Sequence, residues 1–185
     1  MVLQTAPATL DDLLREPGKA ELIGGRIVRY MSTGEMPSRI AFRIARHLAD
    51  FVDRLGRGAV YPDNLGYAVP ELPSHRQSFS PDVSYYNGPL PKNPMRFIEG
   101  PPTFAIEVRS ENDYKPGADA EMAAKRADYF AAGTLVVWDV DALAECIHCH
   151  RASSPDAPIT FRRGQEAEAE PAVPGWRVAV EWVFG

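Results

Sequence analysis

Two stretches govern how this chain is read: "SFSPDVSYY", residues 78–86, and "TFAIEVRS", residues 103–110. Each is short, rich in β-branched and aromatic residues, and has one acid set among apolar neighbours, the pattern of a sheet strand. Side chains alternate between the faces of a strand. In the first stretch Phe79, Pro81, Val83 and Tyr85 are therefore expected on one face, with Ser80, Asp82 and Ser84 on the other. In the second, Phe104, Ile106 and Val108 share a face, and Glu107 shares the opposite one with Ala105 and Arg109. A carboxylate in a sheet strand is costly unless it is paired or binds a metal. Two such acids on neighbouring strands could hold one hard divalent cation through oxygen ligands. Plainer alternatives stay open at this point. Asp82 could cap a turn or pair with an arginine, and Glu107 could form a structural salt bridge, for instance with Lys125.

The flanking sequence reads as alternating helices and strands. Thr9 with Asp12 three residues later predicts a capping box for a short helix ending before Pro17. "AELIGGRIVRYM" (20–31) predicts a β-hairpin turning at Gly24-Gly25. Ser38 is expected to cap a helix with an apolar stripe at Ile40, Ala41, Ile44, Ala45, Leu48, Phe51, Val52 and Leu55, ended by Gly56. Its polar face carries Arg39, Arg43 and Arg46, most simply a solvated face, alternatively a set of phosphate contacts. Strands "GAVYP" and "LGYAVP" follow, and 87–102 reads as a Pro- and Gly-rich surface loop. A second helix is expected over about Gly117 to Ala132, closed by Gly133. Its apolar positions Met122, Ala123, Ala127, Phe130 and Ala131 would leave Lys125 in solvent. "LVVWDVDALAECIHCHRA" (135–152) reads as strand, turn at 139–142, strand, and "GWRVAVEWVF" (175–184) as a last strand with Trp176, Val178, Val180 and Trp182 on one face. No internal repeat, linker or low-complexity tract interrupts the order, so one α/β domain with a mixed sheet is expected over 1–185.

Composition narrows the function classes. With 45% hydrophobic and 24% charged residues the chain has the balance of an ordinary globular protein. The net charge of -5 shows no basic excess, so contact with a nucleic acid would need a local basic patch or bound cations. "MVLQTAPATLDDLL" has neither the basic nor the apolar region of a secretory signal, and no apolar run is long enough to cross a bilayer. A reducing, cytoplasmic setting without a membrane partner is expected. Cys146-x-x-Cys149-His150 has the spacing of a haem-attachment site. In a strand, however, Cys146, His148 and His150 point to one face and Cys149 to the other, so one tetrahedral zinc could not collect all four side chains. No haem is expected.

The order "SPDV" (80–83), "AIEVRS" (105–110), "KRADYFAAG" (125–133) and "VVWDVD" (136–141) resembles the Uma-two family. This large bacterial family of inferred endonucleases, once catalogued as a domain of unknown function, lies in the PD-(D/E)xK, or restriction-endonuclease-like, superfamily. "ELIGGRIV" (21–28) and "PGWRVAVEWVF" (174–184) fall where the family has similar segments, so the resemblance covers about Thr9 to Phe184. It implies a restriction-endonuclease-like core, a central mixed β-sheet flanked by helices with an N-terminal β-hairpin. It implies a metal-dependent phosphodiesterase acting on DNA, with Asp82 and Glu107 binding Mg²⁺ or Mn²⁺ and Lys125 completing the catalytic set. Glu21 matches a further acid near the site. The superfamily's usual lysine, two residues after the second acid, is Arg109 in this chain, and arginine cannot act as a base. That departure keeps open a catalytically inactive, nucleic-acid-binding or accessory role. The resemblance also implies a homodimer, so that two sites address two strands.

Overall fold

In the computed structural model, which describes residues 6–185, the chain begins with α1 (Leu10–Leu13), β1 (Ala20–Ile23), β2 (Arg26–Arg29) and α2 (Glu35–Leu55). Short strands follow: β3 (Ala59–Pro62), β4 (Tyr67–Ala68), β5 (Ser78–Phe79), β6 (Val83–Tyr86), β7 (Ile98–Glu99) and β8 (Phe104–Val108). A 3₁₀ turn (Glu111–Tyr114) leads into α3 (Ala118–Ala132). The chain ends with β9 (Val136–Asp141), β10 (Cys146–Arg151), β11 (Ser154–Arg162), β12 (Glu166–Glu168), β13 (Arg177–Ala179) and α4 (Val180–Phe184). The first five residues of the stretch read as lacking a secretory signal lie outside the described residues. No helix among the described residues is long and apolar enough to cross a membrane.

Six strands form the central sheet in the order β11-β10-β9-β8-β6-β3. Among the described strands of this sheet only the β8–β9 pair is parallel, and α3 makes the crossover that a parallel pair requires. The sheet is therefore mixed, as expected. One face, to which β9 contributes Trp138, packs on α2, where Ile40, Ile44, Leu48 and Val52 repeat at helical spacing, and on Trp176 and α4. The other face packs on Tyr129 of α3 and on a small sheet of order β5-β4-β7. Fully burying one such aliphatic side chain contributes about 1.5–3 kcal/mol, which is what fixes α2 on the sheet. The expected β1–β2 hairpin forms with Ile23 opposite Arg26, and Gly24 and Gly25 adopt φ of 56° and 67° in its two-residue turn.

Several expectations change. The stretch 78–86 is two strands, because Pro81 lacks the N–H needed to continue a ladder. β5 joins the small sheet and β6 the central one, so Phe79 packs with Tyr129 and Tyr67 and does not share a face with Val83 and Tyr85. α2 starts at Glu35 with Gly34 as its N-cap, one turn before Ser38. Pro37 is tolerated there because first-turn N–H groups have no helical partner. The loop 87–102 contributes β7, which pairs in parallel with β4. The turn after β9 lies past Asp141, whose Oδ1 accepts the N–H groups of Leu143 and Ala144. The last segment is strand only to Ala179. Beyond it Val180, Val183 and Phe184 are buried, a spacing of three and four that only a helix satisfies.

α3 also presents another face than its alanines suggest. Ala123, Ala127 and Ala131 are exposed, while Tyr129 is fully buried and Met122, Lys125 and Arg126 are half-buried. An alanine methyl buries little area, so a tyrosine ring and three ion pairs outweigh the small-residue stripe. Those pairs run from Lys125 and Arg126 to acids on β8 and β9, and from Asp128 to Arg76 just before β5.

Candidate active site

The register of β6 against β8 places the two acids. Val83 pairs with Ile106 and Ser84 with Ala105, and continuing this antiparallel register by one residue sets Asp82 opposite Glu107. Asp82 sits where the chain crosses from the small sheet to the central one, and its Oδ2 accepts the backbone N–H of Val108 at 2.7 Å. Both carboxylates line one cleft between the β1–β2 hairpin, the central sheet and α3.

Lys125 reaches into this cleft from α3. Its Nζ lies 2.9 Å from Glu107 Oε1 and 3.1 Å from Glu21 Oε1, with the Tyr30 ring 5.4 Å away. It is thus not the solvated lysine that periodicity implied. Tyr129, one turn further along α3, donates its hydroxyl to Glu107 Oε1 at 2.6 Å. Glu21 is fully buried on β1 and gathers four donors: Lys125, Arg76, the Tyr30 hydroxyl and the Ser80 N–H. Burial alone would raise the pKa of Glu21, but the charges of Lys125 and Arg76 hold it at about 2. Glu107 is displaced the other way. Burial and the nearby Asp82 and Glu21 charges raise it, against the lowering effect of Lys125 and Lys19. Lys125 loses its proton less readily than an ordinary lysine, because Glu107 and Glu21 outweigh its desolvation.

Lys19, to which no sequence pattern points, completes the cluster. Its ammonium lies 2.5 Å from Asp82 Oδ1 and 2.7 Å from Asp63 Oδ1, contacts 63 and 44 positions away along the chain. The alternative of an arginine partner for Asp82 thus gives way to a lysine. The salt bridge between Glu107 and Lys125, considered as a purely structural possibility, is present within the cleft. A repeat of apolar and polar residues reports only local faces. The i, i+4 relation of Lys125 and Tyr129 is the one signal by which their joint approach to Glu107 was readable.

The other candidates are placed elsewhere or held back. Arg109 forms a two-point pair with Asp139, at 2.8 and 2.9 Å, and Arg126 adds a third contact to the same acid. Arg109 lines the cleft but is turned away from Glu107 toward β9. Arg39, Arg43 and Arg46 do not line it. They belong to α2 on the opposite face of the sheet, where Arg39 pairs with Glu35, Arg43 donates to the Trp182 carbonyl, and Arg43 and Arg46 stack on the Trp182 ring. Their strongest contacts are intramolecular.

The donor set suits a hard divalent cation. Asp82 and Glu107 offer only carboxylate oxygens, and among the described residues no hydrogen-bond partner takes Glu107 Oε2. The charge of Lys19 acts on both acids, so a cation is already compensated at this spot. A divalent ion would compete with Lys19 for Asp82, and Asp63 could retain the displaced ammonium.

Comparison with known proteins agrees with this architecture. A crystal structure described as a putative nuclease belonging to DUF820, from Anabaena variabilis ATCC 29413, superposes with a TM-score of 0.74. The two chains are 18% identical over 96% of this chain and 98% of that one, so the likeness concerns the fold. No curated protein sequence matches the chain. Residues 7–181 match the model of a family described as "Uma2: Putative restriction endonuclease". With the acid-bearing strands, the hairpin and the lysine-bearing helix all inside that span, the chain belongs to the Uma2 family.

Proposed function

We propose that the cleft hydrolyses phosphodiester bonds in DNA, with Asp82 and Glu107 holding Mg²⁺ or Mn²⁺. The observation that supports this reading is the meeting of two carboxylates from adjacent strands with the ammonium of Lys125 in one cleft. A divalent ion bound there supplies charge stabilisation for the phosphate and eases proton loss from the attacking water. The remaining work falls to the chain. The ion pairs of Lys125 with Glu107 and Glu21 favour its ammonium form, which suits a fixed donor to a phosphate oxygen or the water better than a base. Tyr129 and Glu21 fix where that ammonium and Glu107 stand. Lys19 supplies a second cation beside the scissile phosphate, helping an acidic protein to accept a polyanion. In the reaction the water oxygen bonds to phosphorus as the proton it loses passes to solvent, the bond from phosphorus to one sugar oxygen breaks, and that oxygen takes a proton from solvent.

The test is cleavage of supercoiled DNA by purified protein in Mn²⁺. Cleavage is expected, and Asp82→Ala or Glu107→Ala should each abolish it; activity that survives both substitutions refutes the assignment. One observation favours the accessory role instead: Arg109, at the position of the superfamily's lysine, is fully engaged with Asp139. Calorimetry separates the two readings, since a binding protein without catalysis needs no Mn²⁺ affinity at this cleft.

A further inference from the structure

The hairpin of β9 and β10 carries a second group of ligand-type side chains, which the proposed hydrolysis does not use. Asp141 ends β9 and Cys146 opens β10 as its direct cross-strand partner. His148, two residues on, projects from the same face as Cys146. A carboxylate oxygen of Asp141, Cys146 Sγ and a ring nitrogen of His148 lie within 4.8 Å of one another. The Sγ to Nε2 separation is 3.6 Å. In a tetrahedral centre with Zn–S about 2.3 Å and Zn–N about 2.0–2.1 Å, those two ligand atoms stand about 3.6 Å apart.

The surroundings orient the ligands. Thr160 Oγ1 lies 2.9 Å from His148 Nδ1, which turns Nε2 toward Cys146, as outer partners of metal-bound imidazoles do. Asp141 Oδ1 accepts the Tyr114 hydroxyl and two backbone N–H groups, which fixes the carboxylate, and Oδ2 lies 3.8 Å from Arg109 Nη1. Cys146 is a free cysteine and nearly fully buried. The rest of the C-x-x-C-H stretch is committed elsewhere. Cys149 lies in the core on the opposite face, against the Glu168 carbonyl, and His150 Nδ1 lies 3.2 Å from the Pro155 carbonyl oxygen.

We propose that Asp141, Cys146 and His148 form a binding site for a thiophilic divalent transition-metal ion such as zinc, with water as the fourth ligand. A carboxylate and a thiolate balance the charge of the ion, and sulfur and imidazole donors separate it by preference from the all-oxygen pair of the cleft. The site ties β9 to β10. In register across the same sheet face lie His148, Asp139 and Glu107. The ion thus steadies the strand from which Asp139 holds Arg109. The proposal does not depend on the hydrolytic reading.

The probe is Co²⁺ added to the full chain after chelation and dialysis. A thiolate-to-cobalt charge-transfer band in the near ultraviolet, with the visible bands of a tetrahedral centre, is expected to saturate at an equimolar ratio. Zn²⁺ should displace it. Absence of the thiolate band from folded wild-type protein at millimolar Co²⁺ overturns the proposal and means that Cys146 and His148 share only a hydrogen bond. Cys146→Ser should remove the band, and His148→Ala should weaken binding at least tenfold. Cys149→Ala, and the double variant Asp82→Ala with Glu107→Ala, should leave it unchanged. A band that persists in Cys146→Ser, or disappears in Cys149→Ala while that variant remains folded, also refutes it.

Discussion

Glu21→Gln offers the sharpest test of how the cleft is held together. Glu21 is fully buried, and its carboxylate stands between Lys125 and Arg76, with Tyr30 and the Ser80 N–H as further donors. Glutamine keeps the size but puts an NH₂ group where a cation now meets an oxygen, whichever way the amide turns. The fall of its pKa from 4.5 to about 2 corresponds to roughly 3 kcal/mol of stability at neutral pH. That agrees with the 3–5 kcal/mol typical of removing one partner from a buried ion pair. For a chain of this length it means a Tm lower by about 6–12 °C, read by circular dichroism. The pH dependence has a definite sign. A carboxylate with a depressed pKa adds stability that is complete above 4.5 and is lost as pH falls through about 2. The gap between wild type and variant should therefore narrow steadily below pH 4.5. A shift under about 1 °C at pH 7, or a gap that does not narrow in acid, refutes this account of Glu21.

Three further outcomes follow from the same contacts. Lys19→Met removes the ammonium that competes for Asp82 and should tighten Mn²⁺ binding several-fold by calorimetry; weaker binding would mean that Lys19 organises the acid instead. Tyr129→Phe deletes the hydroxyl that orients Glu107 and should weaken Mn²⁺ binding roughly tenfold, with the far-ultraviolet spectrum unchanged. Gly58→Ala would drive a methyl group into the Tyr85 ring at a φ of 74°, and a loss of roughly 1–3 kcal/mol is expected in urea denaturation.

Much of the architecture was legible because it rests on local rules. The period of Ile40, Ile44, Leu48 and Val52 defines α2, and paired glycines define the β1–β2 turn. The alternation of Phe104, Ile106 and Val108 assigns the faces of β8, so Glu107 is placed on the correct side. Local rules misled where long-range contacts decide. Alanines on α3 looked like a core stripe and are exposed. Lys125 looked solvated, yet the acids that hold it come from positions 104 and 18 residues earlier.

The sequence alone determined which segments form helices and strands, and that two short strand-forming stretches each carry a carboxylate, because period and side-chain size act over a few residues. Only tertiary structure decided which cations meet those carboxylates. Charges separated by 63 positions, like Lys19 and Asp82, are brought together by the crossing of two sheets at Pro81, and no short-range pattern encodes that encounter.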